Sequence, residues 1–152
     1  MLRLTINKSR CTGCRFCESV CAFGHFTQTL LTRSRIQIGQ EAVQDPTYAI
    51  NVCRQCSVCH PLNVCPTGAL SRDTQTGVLA LDNDRCTPGC RLCVEACHLG
   101  AIHDTGDGLI VCDLCGGDPA CVRVCYTEAL FLSDYQLTAR GMGRQALMEQ
   151  PH

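Results

Sequence analysis

Sixteen cysteines divide this 152-residue chain into four sets of four, with none left over. The first set is Cys11, Cys14, Cys17 and Cys21, spaced C-x2-C-x2-C-x3-C. The second is Cys53, Cys56, Cys59 and Cys65, followed by Pro66. The third is Cys86, Cys90, Cys93 and Cys97, and the fourth is Cys112, Cys115, Cys121 and Cys125. No other feature narrows the fold as much, because a thiol has few stable occupations and each demands its own spacing. A disulfide scaffold needs an oxidising compartment. The segment Met1 to Arg10 lacks the apolar stretch of a secretory leader, so the expected location is cytoplasmic, where thiols stay reduced. Structural zinc favours two separated C-x2-C pairs, and the triplets here would waste a ligand. A thioredoxin-like C-x-x-C would come once, beside a βαβ pattern.

Iron and sulfide are the remaining occupation. A cubane cluster has four iron corners, each taking one soft thiolate, so these sixteen thiolates suit four [4Fe–4S] clusters. Three cysteines a few residues apart lie on a tight loop that can wrap three corners. The fourth points away, and in two-cluster ferredoxins it ligates the other cluster. The first set carries that spacing without deviation, apart from Ala22 where a proline is usual.

The gaps between sets suggest which pair. Twenty residues separate Cys65 from Cys86, 31 separate Cys21 from Cys53, and only 14 separate Cys97 from Cys112. The first gap suits a short helix and a hairpin strand, as in a small two-cluster ferredoxin, whereas the last is short for that unit. The expected fold is therefore α+β, with two nested ferredoxin-like modules of short strands and short helices around four clusters. Sets two and three form an inner module, residues 46–104. Sets one and four form an outer module, residues 1–45 plus 105–132. Residues 133–152 are left as a C-terminal tail or docking arm. Cys11, Cys14 and Cys17 are expected to share a cluster with Cys125, and Cys112, Cys115 and Cys121 with Cys21. Likewise Cys53, Cys56 and Cys59 join Cys97, and Cys86, Cys90 and Cys93 join Cys65. Strands are expected over Leu2–Ile6, Arg35–Ile38, Val78–Leu81, Gly108–Val111 and Ala129–Leu132, with the two terminal ones paired. Helices are expected as single short pieces after the fourth cysteine of each set. The core is small, so the clusters should supply much of the folding free energy.

The segments Cys11-Thr-Gly-Cys14-Arg-Phe-Cys17-Glu-Ser-Val-Cys21, Arg33-Ser-Arg-Ile-Gln-Ile38 and Cys112-Asp-Leu-Cys115-Gly-Gly-Asp-Pro-Ala-Cys121-Val-Arg-Val-Cys125 together resemble a known family. It comprises four-cluster electron-transfer subunits, including the iron–sulfur subunits of carbon monoxide dehydrogenase and formate hydrogenlyase complexes and of the dimethyl sulfoxide reductase group. The Arg33 segment is most similar to the small subunits of tungsten aldehyde:ferredoxin oxidoreductases and benzoyl-CoA reductases. The resemblance spans about residues 1–132 and implies the same nested pairing. It implies a subunit that is not catalytic alone and serves anaerobic metabolism. Such a subunit wires a larger catalytic oxidoreductase subunit, with the tungsten enzymes first, to ferredoxin, a flavin/NAD subunit or another redox partner. The alternatives are a free-standing polyferredoxin shuttle, or the electron-transfer subunit of a hydrogenase, formate or carbon monoxide dehydrogenase complex. Set two departs from the family spacing C-x2-C-x4-C-x3-C-P, which would put its third ligand at Pro61. Cys59 is expected to serve instead, with His60 beside it as the alternative.

Weaker signals add limits. Only short apolar runs occur, so no membrane-spanning helix is expected. One lysine and a formal net charge of −1 argue against nucleic-acid binding. Gly141-Met-Gly143-Arg-Gln-Ala146 matches a dinucleotide fingerprint but opens no βαβ unit. No acid–base pair or nucleophile arrangement is evident, and no catalytic residue is assigned. His25, His60, His98 and His103 are read as surface groups or as support for nearby sulfurs. Residues 1–40 carry Arg3, Lys8, Arg10, Arg15, Arg33 and Arg35 against Glu18 alone, which suggests a positive region around the first cluster.

Overall fold

The computed structural model describes residues 2–27, 29–40 and 47–134. Its strands form four separate antiparallel pairs. The first strand, β1 (Leu2–Ile6), pairs with the last, β8 (Leu130–Asp134), with Leu4 opposite Leu132. Strand β2 (Ile36–Gln40) pairs with β3 (Tyr48–Val52), β4 (Leu70–Arg72) with β5 (Leu79–Leu81), and β6 (Ile102–Asp104) with β7 (Leu109–Val111).

The terminal pair follows from alternation along Leu2–Ile6, which turns Leu4 inward. Thr5 and Ser133 meet through their hydroxyls at 2.6 Å, and the Asn7 N–H donates to the Ala129 carbonyl at 2.8 Å. This pair ties the first cysteine set to the last, whose first members, Cys11 and Cys112, are 101 residues apart in sequence. The β4–β5 turn is made by Asp73, whose carboxylate accepts from the Gln75 and Thr76 N–H groups at 3.0 and 2.6 Å.

Three strands lie outside the sequence expectation: β3, β4 and β6. Strands β4 (Leu-Ser-Arg) and β6 (Ile-His-Asp) are three residues each and carry no periodic signal of their own. They are strands because an antiparallel partner completes their ladder. Strand β8 begins one residue later than expected and runs to Asp134.

The helices require a correction. They are α1 (Phe16–Phe26), α2 (His60–Val64), α3 (Leu92–Ala96) and α4 (Ala120–Arg123). Three of them precede the fourth cysteine of their set, and α1 contains it, so none begins after it as expected. The reason is geometric. In sets one, three and four the third and fourth cysteines are four residues apart, which is about one helical turn. A single turn can thus carry a sulfur to each of two neighbouring cavities.

Helix α1 packs on α4, and α2 packs on α3. The core joins Leu4, Ile36, Val52, Leu70, Leu79, Leu114 and Leu130 to buried cysteines in one apolar cluster. The hairpins β2–β3 and β6–β7 each span one of the expected module boundaries, and β5 packs against β7. No helix among the described residues is long and apolar enough to cross a membrane.

The basic groups of the first forty residues are largely engaged. Arg10 pairs with Glu128 at 2.9 Å, Arg33 with Asp107, and Arg35 with Asp113. The early positive charge is therefore met by carboxylates late in the chain. Of the expected C-terminal arm, residues 135–152 lie outside the described residues.

Candidate metal centres

Three cavities are lined by cysteines from two sets each. The first is lined by Cys11, Cys14, Cys17 and Cys125, together with Ile38, Ile50 and Leu130. The second is lined by Cys53, Cys56, Cys59 and Cys97, together with His60 and His98. The third is lined by Cys65, Cys86, Cys90 and Cys93. Each of these three cavities combines three cysteines of one set with the fourth of another. The remaining cysteines are Cys21, Cys112, Cys115 and Cys121, and the Cys121 thiol is pushed up by burial and then by Cys112, Cys21, Cys17 and Cys115.

Burial pushes the Cys112 thiol up to about 12, and both Cys53 and Cys21 add to that rise. Burial also raises Cys17 and Cys53 to about 12. A thiol this hard to ionise is a poor ligand for water-exposed chemistry, but a metal deprotonates its coordinating thiol outright. Backbone donors are already aimed at the fourth cysteines. The Arg35 N–H donates to Cys21 Sγ at 3.4 Å, Leu70 to Cys65 Sγ at 3.5 Å, and Ala101 to Cys97 Sγ at 3.5 Å. The Thr127 hydroxyl lies 3.7 Å from Cys125 Sγ.

The sulfur spacing discriminates between metals. Four thiolates on one zinc ion, with Zn–S of about 2.3 Å, stand about 3.8 Å apart. Among the described residues, no three cysteine sulfurs lie within 4.8 Å of one another. The sulfurs instead rim cavities, which fits a polynuclear cluster. The group that does converge within 4.8 Å is His25, Asp113 and Cys115. Its His25 is more closely engaged than a surface residue: Nδ1 lies 2.9 Å from the Cys21 carbonyl and Nε2 lies 3.2 Å from Asp113. With Arg35 on the other carboxylate oxygen, this network braces Cys21. His103, by contrast, is buried in β6, and burial lowers its pKa.

Sequence reasoning missed the residue before the second cysteine of each set. Gly13, Gln55, Gly89 and Leu114 all have left-handed backbones, with φ of 68°, 53°, 76° and 56°. Two of the four are glycine, and that repeat was the available signal. The two glycines are not equivalent. A Cβ on Gly13 would stand 2.4 Å from the Tyr48 ring, whereas one on Gly89 meets nothing within 4 Å. Gly13→Ala should therefore lower holoprotein stability by about 1–3 kcal/mol more than Gly89→Ala, which meets only the left-handed backbone. Thermal unfolding of the two variants checks this, and equal losses would contradict it. Sequence reasoning also passed over Glu18, which is buried and accepts the Ile38 N–H at 2.8 Å, tying α1 to β2.

Comparison with known proteins follows the same lines. Residues 44–135 match the family described as "4Fe-4S dicluster domain", and residues 4–26 match a "4Fe-4S binding domain". The electron transport protein HydN of Escherichia coli is 36% identical, over 92% of this chain and 94% of its own length. A polyferredoxin-like subunit of aliphatic sulfonate oxidoreductase from Pyrococcus furiosus is 34% identical, over 81% and 70%. The beta subunit of NADH-dependent phenylglyoxylate dehydrogenase from Aromatoleum evansii is 38% identical over 84% of this chain, which spans only 29% of that protein.

Proposed function

The chain belongs to the 4Fe-4S dicluster family, and we propose that it is an electron-transfer subunit holding four [4Fe–4S] clusters, with no catalysis of its own. Each bound cluster supplies a one-electron carrier between a larger catalytic oxidoreductase subunit and a second redox partner. Cys11, Cys14, Cys17 and Cys125 would hold one cluster, and Cys112, Cys115, Cys121 and Cys21 the next. Cys53, Cys56, Cys59 and Cys97 would hold the third, and Cys65, Cys86, Cys90 and Cys93 the last. The observation that carries this reading is the make-up of the three cysteine-lined cavities, each with three sulfurs from one set and one from another.

The order of the four quartets is supported by two links: the Gln55 side chain, beside Cys56, bonds to the Cys112 carbonyl, and the charge of Cys17 bears on the Cys121 thiol. The quartets of Cys112 and Cys53 are thus the middle pair, and those of Cys11 and Cys86 the ends. The protein's part is to hold the sulfurs, to keep water off Cys17, Cys53, Cys112 and Cys121, and to aim N–H groups at the thiolates. The outer module would be residues 1–45 plus 105–132, and the inner one residues 46–104.

The catalytic partner is where the family resemblance needs revising. It placed tungsten aldehyde oxidoreductases first. A relative that this chain covers almost end to end, HydN, is named an electron transport protein, which favours the alternative reading. We therefore assign the chain to an oxidoreductase complex of the hydrogenase, formate or carbon monoxide dehydrogenase kind, in the cytoplasm. Exposed Phe16, Phe23 and Leu30 support docking through the first forty residues, where most arginines are already paired.

Anaerobically purified protein should contain about sixteen iron and sixteen sulfide per chain, at four of each per cluster. It should be brown and bleach with dithionite. Colourless protein with stoichiometric zinc would end this reading.

A further inference from the structure

The four left-handed positions before the second cysteines divide in a way that maps onto the order of the quartets. At the two ends they are Gly13 and Gly89, which adopt positive φ at no steric cost. At the middle pair they are Gln55 and Leu114, both 0% exposed. Side chains have been placed there despite the unfavourable backbone, and both are fully enclosed.

Gln55 makes specific bonds across the junction of the middle pair. Its Nε2–H donates to the Cys112 carbonyl at 2.8 Å. Its Oε1 accepts from the Leu79 N–H, also at 2.8 Å. Its own backbone N–H points at the Cys53 thiol. One buried residue therefore links a sulfur ligand of one middle quartet, the backbone of a ligand of the other, and strand β5. A buried amide with donor and acceptor both satisfied holds its partners in one arrangement. Leu114, its counterpart in set four, fills space but has no polar group with which to do this.

We propose that Gln55 is the positioning residue of the junction, holding the Cys53–Cys56 loop against Cys112 so that the two middle quartets keep one separation and orientation. The proposal rests on the cluster reading above. It assigns Gln55 no contact with the iron itself; the residue acts through the two cysteines.

The test uses the full-length, iron-loaded chain with Gln55→Leu and Gln55→Glu. Leucine is sterically acceptable in this conformation, as Leu114 shows, but it removes both bonds. Glutamate can still accept the Leu79 N–H, and in this enclosed position burial keeps its carboxyl protonated, so that its O–H can also donate to Cys112. In Gln55→Leu, hydrogen exchange in the peptide containing Leu79 should speed up about tenfold, and in Gln55→Glu it should stay near wild type. In Gln55→Leu the magnetic interaction between the two middle clusters in the fully reduced protein should change, and their two midpoint potentials should shift while those of the end clusters hold; Gln55→Glu should restore most of both. If Gln55→Leu loses iron, about eight atoms should go, all from the middle quartets. Unchanged spin interaction and potentials in Gln55→Leu would overturn the proposal, as would shifts or iron loss spread evenly over all four clusters. Wild-type iron content tests the cluster reading separately, before any variant is compared.

Discussion

Cys125→Ala is expected to remove about four iron atoms, and to take them from the cluster of Cys11, Cys14 and Cys17 rather than from that of its sequence neighbours. Cys125 lies four residues after Cys121, at the end of the α4 turn, so sequence proximity alone would group it with set four. Its side chain instead lines the cavity of the first set. Additivity makes the test sharp, because sites that share no partner give independent losses. Cys125→Ala combined with Cys11→Ala should lose no more iron than either alone. Combined with Cys115→Ala it should lose about eight atoms, two clusters' worth. The reverse pattern, in which Cys125 and Cys115 are redundant and Cys125 and Cys11 additive, would show that each set ligates its own cluster. Cys21→Ala provides the reciprocal measurement. It should behave as a member of the Cys112 quartet, although it sits on α1 one turn after Cys17.

Anaerobic removal of iron by a chelator should have the largest effect of all, the loss of cooperative unfolding. Among the described residues, three of the four α-helices have five residues or fewer, and all the sheets are two-stranded. Helices of that length do not persist alone in water, and isolated two-stranded hairpins are marginal. Large aromatic side chains are absent from the buried apolar residues among those described, while Cys17, Cys21, Cys53, Cys93, Cys112 and Cys121 are part of that core. Stripped of metal, these sulfurs would face one another across the sites with no bonds to hold them in place. Metal binding at thiolate sites can supply about 10–16 kcal/mol of folding free energy, more than a domain's usual net stability. Calorimetry and amide exchange on the stripped, reduced chain give the measurement. A sharp transition, with Leu4 and Leu130 amides still protected, would mean that the polypeptide holds its own fold.

Much of the fold was legible because sulfur spacing is a local property. Four sets and their triplets, the α+β class and the strand at Leu2–Ile6 could be read from residues alone. So could the pairing of the two terminal strands, since alternating apolar runs bracket the first and last sets. The helices were misplaced because a four-residue interval between cysteines was treated as a loop, when it is one helical turn. Strands β4 and β6 were invisible because three residues cannot show a period.

Around the sulfurs, the division is sharper. The sequence by itself determined that this chain is built around thiolates in groups of four. It did not determine that Gln55 and Leu114 occupy left-handed turns with their side chains enclosed, because left-handed backbone is unfavourable for both and only packing from elsewhere in the chain holds it. Nor could it show that Asp113 gathers His25 and Arg35 beside Cys21, or that arginines early in the chain are met by carboxylates late in it. Those pairings join residues tens of positions apart, and they exist because β1 and β8 bring the two ends of the chain together. Spacing along a chain encodes what one loop can ligate. Which loop faces which is decided by long-range strand pairing and by the packing of α1 on α4 and α2 on α3.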